Sequence, residues 1–65
     1  MKVKEVIRIL EIDGWQLITT RGSHRQYKHP VKKGRVTVSG HKSLDIPIGT
    51  LKSIFKQSGL ERYLH

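Results

Sequence analysis

The chain contains no cysteine. Disulfides, thiolate zinc sites and a cysteine nucleophile are therefore excluded. No uninterrupted apolar run exceeds two residues, which excludes a transmembrane helix and a secretory signal peptide. A cytoplasmic location is the expectation. Acids are scarce as well: five Asp and Glu stand against thirteen Lys and Arg, a formal charge of +8. Aromatic residues make up only 6% of the chain, so little surface is on offer for stacking on bases. Repeats, linkers and low-complexity stretches are absent. The 65 residues read as a single domain, 1–65, with a thin core of one helical layer on one small sheet.

What is present is positive charge, and it is concentrated. Residues 1–14 balance Lys2, Lys4 and Arg8 against Glu5, Glu11 and Asp13. Residues 15–44 hold Arg21, Arg25, Lys28, Lys32, Lys33, Arg35 and Lys42 with no acid, together with His24, His29 and His41. A merely solvated face usually mixes signs. An acid-free basic segment suits a surface that meets phosphates. Nucleic acid is the first partner to expect; a membrane surface fits less well, because no apolar face is offered for insertion.

Apolar spacing places the elements. Val3, Val6, Ile7 and Leu10 recur at helical intervals, and Asp13-Gly14 ends that helix. Trp15–Thr20 reads as a strand, Gly22-Ser23 as a turn, and His24–His29 as a second strand stopped by Pro30. Arg35–Ser39 alternates, with Val36 and Val38 inward. From Pro47, helical spacing returns through Ile48, Leu51, Ile54 and Phe55, and Gly59 closes it. The expected fold is α+β, in the order α-β-β-β-α: a three-stranded antiparallel meander with two helices on one face. Gly49 inside the second helix costs about 1 kcal/mol relative to Ala, with no local reason for it.

Hairpin register decides which side chains share a face. A two-residue turn at Gly22-Ser23 pairs Leu17 with Lys28 and splits the large apolar residues. A three-residue loop, Arg21-Gly22-Ser23, pairs Leu17 with Tyr27 and gathers Trp15, Leu17 and Tyr27 on the helix side. The second is expected, with Gly22 at positive φ. His24 then lies on the open face beside Thr20, in line with Gln26 and Lys28, and Arg35, Thr37 and Ser39 share that face.

On such a face a histidine has chemistry available. Imidazole exchanges a proton near neutral pH. RNA supplies the matching acid in its own 2′-hydroxyl, whose oxygen attacks the adjacent phosphorus once deprotonated. Cations stabilise the charge that builds on the phosphoryl oxygens. His24 is the candidate base, against the plainer reading of an exposed residue flanking a turn. His41, after the third strand, is a candidate to protonate the leaving oxygen or bind phosphate; otherwise it is a solvated loop residue. His29 points inward beside Trp15 and reads as structural, and His65 ends the chain. Arg25, Lys28, Lys32, Lys33, Arg35 and Lys42 form the candidate phosphate track. No histidines stand at i, i+4 on a helix and no carboxylate joins them in residues 15–44, so neither a metal site nor a cofactor is expected.

The chain resembles the HicA toxin family (also called the YcfA-like family) over nearly its whole length. The likeness rests on Asp13-Gly14-Trp15 after the first helix, Gly22-Ser23-His24 followed by Tyr27 and His29-Pro30, and Ile46-Pro47-Ile48-Gly49-Thr50-Leu51 followed by Ile54, Lys56 and Gly59. The resemblance implies a fold shared with double-stranded RNA-binding domains. It implies metal-independent endonucleolytic cleavage of mRNA with His24 essential, Gly22 and Ser23 framing it, and a HicB-type antitoxin as protein partner. In one place the chain departs from the family, which often has Val-Pro where Val38 is followed here by Ser39-Gly40. The alternative from another class is a non-catalytic RNA-binding module of the same fold.

Overall fold

The computed structural model describes residues 1–64; His65 lies outside the described residues. The order is α1 (Val3–Asp13), β1 (Gln16–Arg21), β2 (His24–Lys28), β3 (Arg35–Val38) and α2 (Ile48–Ser58), followed by a single 3₁₀ turn at Glu61–Tyr63. The strands form one antiparallel sheet in sequential order. This is the expected α-β-β-β-α arrangement. No described helix is long and apolar enough to cross a membrane.

Both helices stop in the same way. Gly14 N–H donates to Glu11 O and Trp15 N–H to Leu10 O; Gly59 N–H donates to Lys56 O and Leu60 N–H to Phe55 O. These are two Schellman closures, each with a buried apolar pair, Trp15 on Leu10 and Leu60 on Phe55, across the bonds. Gly14 has φ +104°, and a Cβ there would sit 2.9 Å from His29 Nε2. Only glycine therefore allows this helix end and this histidine together. The start of α1 is held differently. Val3 and Lys4 N–H donate to Leu44 O and Lys42 O, and Glu5 reaches back to the Lys2 N–H at 2.9 Å. The loop after β3 thus satisfies orphan donors of the first helix.

Val3, Val6, Ile7 and Leu10 of α1 meet Leu51, Ile54 and Phe55 of α2 over Tyr27, Val36 and Val38, with Trp15, Ile46 and Leu60 sealing the ends. Two expected core residues are not there. Leu17 is 51% exposed although it pairs with Tyr27 as anticipated. The buried part of the sheet is its β2 and β3 side chains, and every residue of β1 is exposed; the helices leave the β1 edge uncovered. Ile48 is 64% exposed because the helix begins with it. Pro47 is the N-cap rather than part of the first turn.

The hairpin differs from expectation in one respect that matters for the site. Its loop is the two-residue Gly22-Ser23, closed by Arg21 opposite His24. Gly22 alone has positive φ, +57°, the pattern of a type II′ turn. A two-residue loop would slip the apolar pairing by one, but a β-bulge between Leu17 and Thr19 takes up the extra residue and restores Leu17 opposite Tyr27. The odd residue is thus Ile18 inside the strand rather than Arg21 in the loop.

Candidate nucleic-acid interface

The bulge determines who stands next to His24. Direct cross-strand partners share a face, so Arg21 flanks His24 and Thr19 flanks Gln26. Thr20, the expected neighbour, pairs with Arg25 and faces the helix side. Three short rows then cross the open face. Arg21 and His24 make the first. Thr19, Gln26 and Thr37 make the second, paired in register across all three strands. Gln16, Lys28 and Arg35 make the third. None of these residues is an acid.

His24 is exposed at the first position of β2. Its Nδ1 lies 3.0 Å from Ser39 Oγ. Among the described residues its Nε2 has no hydrogen-bond partner, and the residue as a whole is exposed. The ring stands at the wall of a depression of about 350 Å³ lined by Thr19, Arg21, His24, Gln26 and Thr37. Arg35 Nη1 donates to Gln26 Oε1 at 3.2 Å. Lys28 and Arg35 are direct partners without a carboxylate between them. Such a like-charge pair costs a few tenths to about 1 kcal/mol in a sheet, which a bound anion would relieve.

The candidate phosphate track does not stay on one surface. Lys28 and Arg35 lie on the open face, and Gly22 and Ser23 form the turn beside it. Arg25 points to the other side. Its Nη1 donates to Gly40 O at 2.9 Å and Ser23 O at 3.3 Å, tying the turn before His24 to the segment that carries Ser39. Lys32 Nζ donates to the Asp13 carboxylate at Oδ2, 2.6 Å, and to the Ser58 carbonyl at 2.9 Å, tying together the C-terminal ends of both helices. That contact, above all, holds the Asp13 carboxyl below its ordinary value. Lys33 is exposed in the same loop. His41 and Lys42 are exposed after β3, where the His41 carbonyl accepts from Leu44 N–H and the Lys42 carbonyl from Lys4 N–H. Among the described residues His41 makes no hydrogen bond to His24.

His29 is structural, as its inward placement suggested. It meets Trp15 edge-on with ring centroids 5.3 Å apart. Its Nδ1 accepts from Val31 and Lys32 N–H, both at 3.0 Å, and its Nε2 lies 2.7 Å from Asp13 O. Two donors aimed at Nδ1 fix the Nε2–H tautomer, which donates to Asp13 O. Tyr27 is buried, which raises its phenol above the ordinary value, so it is a core group and no base. Strand alternation alone placed Gln26, Thr37 and Ser39 on the open face. It did not reveal that Ser39 touches His24, nor that Arg21 and Thr19 join them, because both facts depend on the bulge and on where β3 ends.

Among curated proteins, none matches the chain. A family model described as HicA toxin of bacterial toxin-antitoxin matches residues 3–60, from the first residue of α1 to just beyond the end of α2.

Proposed function

The chain belongs to the HicA toxin family of bacterial toxin–antitoxin systems, and from that premise we propose that it is a metal-independent endoribonuclease acting on mRNA through His24. The observation that carries this reading is one exposed imidazole on an acid-free basic face, anchored at Nδ1 by Ser39 and open at Nε2. In the reaction, Nδ1–H donates to Ser39 Oγ and Nε2 takes the proton of a 2′-hydroxyl. The 2′-oxygen attacks the adjacent phosphorus and the P–O5′ bond breaks. A 2′,3′-cyclic phosphate and a 5′-hydroxyl result, the leaving 5′-oxygen taking its proton from solvent or from His41. Arg21, directly across from His24, stabilises charge on the phosphoryl oxygens. Lys28 and Arg35 hold the neighbouring backbone, with Lys42 and the Gly22-Ser23 turn at the margin.

General base catalysis contributes about 10²–10⁴-fold, which sets the expected loss on removing the imidazole. The wild-type chain and His24→Ala would be incubated with mRNA in chelator and the ends mapped. Cleavage by the wild type with 5′-hydroxyl ends, reduced at least 100-fold in the variant at equal RNA affinity, is the expected result. Equal cleavage by both sinks the assignment of His24. Binding without cleavage by either favours a non-catalytic RNA-binding module. A HicB-type antitoxin would hold the toxin inactive by covering this same basic face with acidic groups of its own.

A further inference from the structure

Between the two charged rows of the open face lies one with no charge at all. Thr19, Gln26 and Thr37 stand directly opposite one another across the three strands, and all three line the depression that holds His24. Strands lie about 4.8 Å apart and side chains on one face recur about every 6.7 Å along a strand. The row is therefore roughly 10 Å wide. It separates the Arg21–His24 row from the Lys28–Arg35 row by one such step on either side. Charge flanks a band of hydrogen-bonding groups on both sides, the layout expected where phosphates are gripped and something uncharged is read between them.

Gln26 has a preferred orientation. Arginine only donates, so the contact from Arg35 Nη1 at 3.2 Å fixes the Gln26 carbonyl oxygen toward Arg35 and turns both amide N–H groups away from it. The middle of the row thus presents oriented donors, with two hydroxyls beside them that donate or accept.

We infer that Thr19, Gln26 and Thr37 form a nucleobase-reading subsite for single-stranded RNA. Gln26 donates to acceptor atoms on the base next to the bond to be cut, while Lys28 and Arg35 hold a phosphate further along the strand. The occupant is RNA because the face carries four cationic or imidazole side chains and no acid, in two rows about 13 Å apart, which leaves room for a nucleotide between two gripped phosphates. Base selection here uses hydrogen bonds rather than stacking, since Trp15 and Tyr27 are buried in the core. The inference rests on the open face being the RNA surface, but not on His24 being catalytic.

The test uses the full chain and 2′-O-methyl homo-oligomers of A, C and U, which carry no 2′-hydroxyl to attack. Affinity is read by fluorescence anisotropy over a salt series for the wild type, Gln26→Leu and Thr37→Val. The wild type should prefer one base by roughly tenfold, the worth of one or two hydrogen bonds. Gln26→Leu should bring that preference within about twofold and Thr37→Val should lessen it, with the salt slope unchanged because phosphate contacts remain. A wild type that binds all three equally, or a Gln26→Leu protein that keeps the preference, overturns the proposal. So does displacement of the oligomer by poly-glutamate of equal charge as readily as by unlabelled RNA, which would give the face to an acidic protein instead. Base preference without cleavage of ordinary RNA would remove the ribonuclease reading and keep this one; cleavage with no base preference would do the reverse.

Discussion

Replacing Arg25 with alanine separates a phosphate contact from a structural brace. By sequence Arg25 sits in the middle of the basic segment and belongs with the phosphate track. In the fold it faces the helix side, and its Nη1 reaches Gly40 O at 2.9 Å and Ser23 O at 3.3 Å. A hydrogen bond from a charged donor is worth about 1.5–3 kcal/mol. The shorter contact counts near the bottom of that range because the group is only half-buried, and the longer one adds a fraction. The expected loss is about 2 kcal/mol. A 60–100-residue domain shifts by about 4–8 °C per kcal/mol, so Tm should fall by roughly 8–16 °C.

The salt dependence of RNA binding tells the two roles apart. Each phosphate contact on a single strand contributes about −0.7 to the slope of log affinity against log salt. Arg25→Ala should leave that slope unchanged, whereas Lys28→Ala should flatten it by about 0.7 with little change in Tm. Cleavage by Arg25→Ala, assayed well below its Tm, should fall more than binding does, because Gly40 adjoins the Ser39 that holds His24. Thermal unfolding by circular dichroism and a salt titration by anisotropy suffice. An Arg25→Ala protein with unchanged Tm and a slope flattened by about 0.7 would refute the brace and return Arg25 to the phosphates.

Two glycines make a paired test of stability. Gly14→Ala should cost about 2–3 kcal/mol, from the left-handed backbone and the displaced His29 hydrogen bond, whereas Gly49→Ala, at a helical position with open space around it, should stabilise by about 0.5–1 kcal/mol. Equal Tm for the two variants would contradict both assignments. Asp13 tests the pH dependence: the Lys32 contact lowers its folded value below the ordinary 3.8, so the ionised carboxylate stabilises the fold above that pH and the contribution is lost as pH falls through the folded value. Asp13→Asn should therefore cost about 1 kcal/mol near pH 6 and show a shallower loss of stability as pH falls below the ordinary carboxylate value of 3.8; parallel acid-unfolding curves for the two proteins would rule this out.

Most elements were legible because the residues that begin and end them are local signals. Asp13-Gly14 and Gly59 terminate helices by backbone geometry that depends on one residue, and Pro30 ends a strand by lacking a donor. The Val36 and Val38 alternation named the inner face of β3 without reference to any other strand. The 3₁₀ turn at Glu61–Tyr63 went unseen, since three residues give no periodicity. Leu17 and Ile48 were assigned to the core by pattern, but pattern records which way a side chain points and not whether anything covers it.

The candidate site divides along the same line. His24, its exposure beside a tight turn, and the acid-free basic segment around it follow from composition and order alone. Charge and proton chemistry belong to residue types, and the turn is a property of Gly22-Ser23. The partners of His24 do not follow. A two-residue loop and a bulge together give the same Leu17–Tyr27 pairing as a three-residue loop, yet they exchange Thr20 for Arg21 at His24 and Ile18 for Thr19 at Gln26. Hydrophobic burial rewards the pairing and is indifferent to where the extra residue goes. In the same way, sequence assigned Arg25 a charge, and the tertiary structure decided that its charge would be used on two carbonyls, because the end of β3 brings Gly40 within reach of it. Sequence by itself determined what chemistry this protein has available; the placement of one bulge and one strand end determined which side chains meet to use it.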